Sequence, residues 1–203
     1  KLYYKFLGFG IIGLGLITTF SLSILIAAAT CFLAYKFLRK YRAGNHKSKI
    51  NIAKILVAVF VTTSSLQIFF GNMYQINTYN SQRVVERLGL AAASGQMIVK
   101  SPIMGVGLNT FIPNLESLRL GGNSIWLLQP VHNLFLLVFA ETGLIGATIF
   151  ITLIYYGFKF SLKKKNLLLT TTLLFVLLTG TTDHYWLTLQ QNNLVLAFLI
   201  SHF

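Results

Sequence analysis

Acidic side chains are nearly missing from this sequence. Asp and Glu together number four among 203 residues, against 17 Lys and Arg, for a formal charge of +13. So few carboxylates leave little from which to build a magnesium or calcium cage. Cysteine occurs once, as Cys31 within an apolar run, which excludes an internal disulfide framework and any Cys-rich zinc or iron–sulfur site. Charge of either sign is scarce at 10% of residues, whereas 55% are hydrophobic and the mean hydropathy is +0.68. That balance excludes a soluble globular domain and specifies an integral membrane protein. The chain starts at Lys1 and stops at Phe203 inside an apolar stretch, and it reads as a piece of a larger protein.

A hydrocarbon core of roughly 30 Å is crossed by about 20 apolar residues in a helix. Five segments meet that requirement: 6–35, 52–71, 131–158, 166–182 and 186–203. The first is uncharged and long enough to tilt or to kink near its early glycines. Lys36, Arg39, Lys40, Arg42, Lys47, Lys49 and Lys54 lie between the first two segments or at the very start of the second, and Lys159, Lys163, Lys164 and Lys165 between the third and fourth, with no acid in either group. Positive loops stay in the cytoplasm, and helix parity puts both groups on one side. Neither carries the interleaved aromatics of a nucleic-acid surface, so membrane lipids rather than nucleic acid are the expected partner. The expected fold is therefore all-α and polytopic, one membrane domain of about five transmembrane helices plus a long, partly helical extracytoplasmic loop at 72–130.

That loop is too long to be a simple connection. It holds all three prolines and six charged residues, Arg83, Glu86, Arg87, Lys100, Glu116 and Arg119. Residues 87–99 read as a helix with Leu88, Ala91, Ala92, Met97 and Ile98 on or near one side, followed by a turn at Pro102, Gly105 and Gly107. A lid lying on the membrane surface is expected. The loop ends in Gln129-Pro130-Val131-His132-Asn133, and proline suits a first helical turn, so His132 is expected at the outward N-terminus of the third span, beside unpaired N–H groups. An anion is favoured there.

Arg83 and Arg87 stand at i and i+4, so a helix projects both guanidinium groups from one face as a phosphate or diphosphate clamp. A histidine beside that clamp can take a proton from a hydroxyl. Each element has a plainer alternative: His132 hydrogen-bonding a loop carbonyl, the arginines pairing with Glu86 or lipid phosphates. Asp183, His184 and Tyr185 form an outward polar turn that either binds substrate or, with Trp186, dresses the interface. Glu141 lies nine residues into the third span, almost opposite His132 on a straight helix, and with Gly143 and Gly146 nearby it reads as structural.

The loop and third span together resemble the O-antigen ligase and polymerase superfamily of polytopic membrane glycosyltransferases. The likeness rests on Arg87, Met97-Ile98, the Pro102-Ile103-Met104-Gly105-Val106-Gly107 turn followed by Phe111, His132-Asn133, and Glu141-Thr142-Gly143-Leu144-Ile145-Gly146, in that order. It covers residues 83–158 well and 183–191 more weakly. Ala91 departs from it, standing where many members carry tryptophan. The resemblance implies a GT-C-like enzyme in the bacterial cytoplasmic membrane, of which this chain is the C-terminal half. On the outward face, a glycan would pass from a polyprenyl diphosphate carrier to a sugar hydroxyl of a glycan or glycolipid acceptor. It further implies that His132 assists acceptor deprotonation, that Arg87 helped by Arg83 holds the leaving diphosphate, and that Asn133, Asp183 and His184 contact substrate. Neither cofactor nor metal is expected, arginines carrying the charge instead. The competing reading is a transporter or flippase piece with an outward anion site, against which the sequence offers no internal repeat.

Overall fold

The computed structural model describes residues 21–43, 52–77, 81–117 and 129–201. Among these there are eight helices and no strand: α1 Leu22–Ala43, α2 Ile52–Asn77, α3 Ser81–Lys100, α4 Phe111–Ser117, α5 Leu134–Lys163, α6 Leu167–Gly180, α7 Tyr185–Thr188 and α8 Gln190–Ile200. Leu22–Arg42 and Leu134–Lys163 are long and apolar enough to cross a membrane, while Lys54–Gln67 and Leu167–Gly180 are shorter apolar helices. Half of the anticipated first span, 6–20, lies outside the described residues; its described half continues through Lys36, Arg39, Lys40 and Arg42 within α1. The anticipated last span is broken at Leu189, where extended backbone separates α7 from α8.

Two cores hold the fold. One joins α1, α2 and α6 through Ala27, Cys31, Leu38, Leu56, Leu174 and Leu178. Threonines along α6 return their hydroxyls to carbonyls one turn back, Thr170 to Asn166 and Thr171 to Leu167, so an apolar helix hides its polar atoms internally. The other core joins α3, α4 and α5 through Leu90, Ala93, Met97, Phe111, Leu115, Leu137 and Ala140. Of the face expected for the loop helix, Ala91, Met97 and Ile98 pack in this core together with Leu90, Ala93 and Ser94, whereas Leu88, 65% exposed, and Ala92 do not. Phe32, Leu33, Phe37, Val57, Val61, Ile149, Ile151 and Tyr155 remain exposed around the bundle, a surface suited to lipid or to further helices.

The segment expected as one continuous third span is sharply bent. Gly143 sits at φ 64°, ψ −164° within α5. A straight helix would separate residues 15 apart by about 22 Å. The rings of Phe135 and Phe150 instead have centroids 6.3 Å apart, so the two arms fold toward each other. A straight helix would pair the Leu144 and Ile145 N–H groups with the Ala140 and Glu141 carbonyls in two hydrogen bonds. The 102–107 turn supplies four in their place. Val106 N–H donates to Ala140 O and Gly107 N–H to Glu141 O, both at 2.9 Å, while Leu144 N–H donates to Pro102 O at 2.9 Å and Ile145 N–H to Ile103 O at 3.3 Å. The Pro-x-x-Gly-x-Gly and Glu-x-Gly motifs are therefore two halves of one junction. Close approach explains the glycines: a Cβ on Gly105 would meet Glu141 backbone at 2.3 Å, and one on Gly143 would meet Ile103 O at 2.3 Å. Glu141 completes the junction, its Oε1 accepting from Phe111 N–H at 3.2 Å at the start of α4.

Candidate active site

The junction sets α3 alongside the first arm of α5, and the remaining site residues gather where that arm begins. Asn133, three residues after Pro130, is the cap of α5, its side chain accepting from Leu136 N–H at 2.9 Å, so the proline lies outside the first helical turn. His132 accordingly precedes the cap instead of occupying the first turn. The other end of the same amide donates to Thr181 O at 3.0 Å. Asn133, expected among the substrate contacts, thus uses both ends of its amide within the protein. That brace ties the His132 segment to the turn after α6, and Gly180 helps by letting α6 approach Leu134, whose Cδ2 a Cβ there would meet at 2.8 Å.

The turn brings Asp183 and His184 to His132. His132 Nδ1 lies 3.7 Å from Asp183 Oδ1, and His184 Nε2 lies 3.9 Å from the same oxygen. The two imidazole centroids are 5.3 Å apart. Asp183 Oδ1 also accepts from His184 N–H at 2.7 Å, which fixes the carboxylate, and His184 Nδ1 pairs with Thr188 Oγ1 at 2.7 Å. His132 Nδ1 is buried and has no hydrogen-bond partner. His184 is nearly enclosed, and burial holds its imidazole below the ordinary histidine range, with His132 adding to the shift and Asp183 opposing it. Tyr185 is held above the usual phenol range, first by the Asp183 charge and then by burial, while Arg87 pulls the other way. Arg87 is thus within electrostatic reach of the Asp183 turn. Arg83 stands one turn earlier on α3, and its side chain lies outside the described residues.

The sequence reading passed over three supports of this cluster. Gln67, buried in α2, donates from Nε2 to Ser23 O at 2.7 Å and accepts at Oε1 from Thr181 Oγ1 at 3.4 Å, so α1, α2 and the turn share one polar layer. Trp186 Nε1 donates to Thr179 Oγ1 at 2.7 Å, and Thr188 holds His184. A glutamine inside an otherwise apolar run was the available signal for the first. The other two carry none in sequence.

Chemically, the arrangement is an imidazole facing a fixed carboxylate, with a second imidazole and a guanidinium close by, at one end of an apolar bundle. That is a constellation for moving a proton and holding an anion at a membrane. The sequence pattern of the O-antigen ligase family matches residues 7–151, most of the chain, and the chain belongs to that family. It matches no curated protein and no solved structure. Membership makes glycan transfer in polysaccharide biosynthesis, on lipid-linked glycans at a membrane, the coarse function of the chain.

Proposed function

We propose that the protein transfers a glycan from a polyprenyl diphosphate carrier to a sugar hydroxyl, on the extracytoplasmic face of the bacterial cytoplasmic membrane. The observation that carries this reading is the meeting of His132 with Asp183 beside Arg87. A proton on Nδ1 directed at Asp183 leaves the Nε2 lone pair to accept the acceptor's hydroxyl proton, the division of labour by which a carboxylate orients a catalytic imidazole. The 3.7 Å gap is closed by a small shift when substrate binds, as catalytic hydrogen bonds commonly tighten. As His132 takes the proton, the acceptor oxygen bonds to the anomeric carbon. The bond from that carbon to the diphosphate oxygen breaks, and polyprenyl diphosphate leaves with its electrons. Arg87, with Arg83, offsets the charge that grows on the leaving group, which gives the chemistry no need of a metal. Asp183 is in this scheme a positioning residue, His184 a wall of the acceptor site, and Asn133 a brace.

Sidedness follows from charge. Lys40 and Arg42 end α1 and Lys163 ends α5, at the opposite ends of these helices from the site, and positive ends stay inside. Residues 72–130 then form the outward catalytic segment of one membrane domain. Depth follows from length: the 14 residues of α6 rise about 21 Å, less than a hydrocarbon core of roughly 30 Å, so the Asp183 turn lies in a recess below the outer lipid surface. A lipid-borne diphosphate reaches such a recess without leaving the membrane. Against the transporter reading stands the cavity of about 540 Å³ between α2, α5 and α6, whose walls, Leu56, Phe60, Phe158, Leu174 and Leu177 among them, carry a single charged side chain, Lys159.

The test supplies the purified full-length protein in nanodiscs with a polyprenyl diphosphate-linked glycan and a panel of saccharide acceptors, with and without chelator. Chelator-insensitive formation of glycosylated acceptor and free polyprenyl diphosphate is the expected result, and product length distinguishes single ligation from polymerisation. Movement of intact carrier across the bilayer without bond cleavage would reject the proposal.

A further inference from the structure

We infer that His132, Asp183 and His184 form a binding site for a zinc-class divalent ion, which occupies the centre as an inhibitor, not as a cofactor. One ligand atom from each residue lies within 4.8 Å of the others. A point can then be placed within about 2.8 Å of all three, about 0.6–0.8 Å beyond the 2.0–2.2 Å of zinc–nitrogen and zinc–oxygen bonds, so an ion draws the three donors slightly together. The donors are already oriented. Thr188 Oγ1 holds His184 Nδ1 at 2.7 Å and leaves Nε2 facing Asp183, the outer support that metal-bound histidines normally require. The His184 N–H fixes the carboxylate. His132 Nδ1 lies 3.7 Å from the same oxygen, buried and without a hydrogen-bond partner.

Two imidazoles and one carboxylate select zinc, cobalt or nickel over magnesium and calcium, which prefer oxygen donors. Three protein ligands leave a fourth position for water. The nearby Arg87 charge opposes any cation, so the site is weaker than a structural zinc site, as befits an inhibitory one. Inhibition itself rests on the proposed role of His132. A metal on Nδ1 takes that lone pair and leaves the ring proton on Nε2, the nitrogen that must receive a proton from the acceptor hydroxyl.

The decisive experiment titrates the purified full chain in nanodiscs with Zn²⁺ against a fluorescent chelator, and repeats the titration with Co²⁺ as a spectroscopic probe. One saturable site per chain is expected, retained when His46 and His202 are changed to Gln and lost in both Asp183→Asn and His132→Ala. Thr188→Val, which removes the outer support of His184, should weaken zinc about 10- to 100-fold. Zinc should stop wild-type transfer and chelator should restore it. Absence of saturable binding, or binding undiminished in Asp183→Asn and His132→Ala, overturns the inference. A chain that binds zinc as described but transfers no glycan keeps this site and sinks the proposed function; one that transfers glycan and ignores zinc does the reverse.

Discussion

Replacing Gly143 by Ala probes the junction on which the geometry of the cap depends. At φ 64°, ψ −164° the residue occupies backbone space essentially reserved for glycine, and a side chain there costs about 1–3 kcal/mol before any collision. Its Cβ would also stand 2.3 Å from Ile103 O and 2.5 Å from Gly105 N, atoms of backbone that cannot rotate aside. Relief requires the 102–107 turn to withdraw, which gives up four hydrogen bonds at a net of about 0.5–1.5 kcal/mol each. Even the low end of these contributions is about 3 kcal/mol, or about 6–12 °C of melting temperature on the scale of domains this size. Gly95→Ala is the control, since nothing lies within 4 Å of its Cβ on the exposed side of α3, and it should be neutral or stabilising by up to about 1 kcal/mol. The assay is thermal unfolding in nanodiscs together with limited proteolysis at 101–117. Gly143→Ala should melt early, expose that segment and lose transfer activity as α3 carries Arg87 away. Gly105→Ala should behave alike, and the double variant little worse than either, because both break one junction. A Gly143→Ala protein that melts with the wild type and keeps the segment protected would refute the reasoning.

Other outcomes follow from the same contacts. Glu141→Ala, which uncaps α4, should cost about 0.5–2 kcal/mol, whereas Glu141→Gln retains an acceptor for Phe111 N–H and should melt closer to wild type. Asn133→Asp keeps the cap of α5 but loses the bond to Thr181 O, so it should lower transfer more than stability; Asn133→Ala should lower both. Asp183→Asn should reduce transfer by about 10²–10⁴-fold at unchanged acceptor KM, since the carboxylate positions the base instead of binding sugar. Because burial depresses the folded-state pKa of His184, the unfolded chain binds the extra proton, and stability should fall as pH drops below about 6.5, the unfolded value. Melting profiles between pH 5 and 8 should show that slope in the wild type and a flatter one in His184→Gln.

Composition alone carried the fold class, because scarce charge and long apolar runs admit few alternatives to a helical membrane bundle. Periodicity carried less. The run at 131–158 is uniformly apolar, so nothing in its pattern announces that Gly143 bends it, and straight-helix arithmetic set Glu141 opposite His132 with no sight of the turn that meets its backbone. Both glycine motifs were visible as strings, but their pairing is a contact between segments some 40 residues apart, and no local pattern encodes it. The loop helix was recognised with Ala91, Met97 and Ile98 on its packed side, but Leu88 and Ala92 proved exposed, since alanines and glycines give little contrast between faces. At the site, the residue types pointed to His132 and Arg87, whereas the carboxylate partner is some 50 residues from the histidine and was read as a substrate contact. Gln67 and Thr188 act through hydrogen bonds across elements, which only the fold reveals.

The account stands most directly on the initial rate of glycan transfer by His132→Ala in nanodiscs, measured beside its melting temperature. It predicts a loss of at least about 100-fold, the contribution of a positioned general base, with melting unchanged. Transfer at the wild-type rate by a folded His132→Ala protein would contradict it.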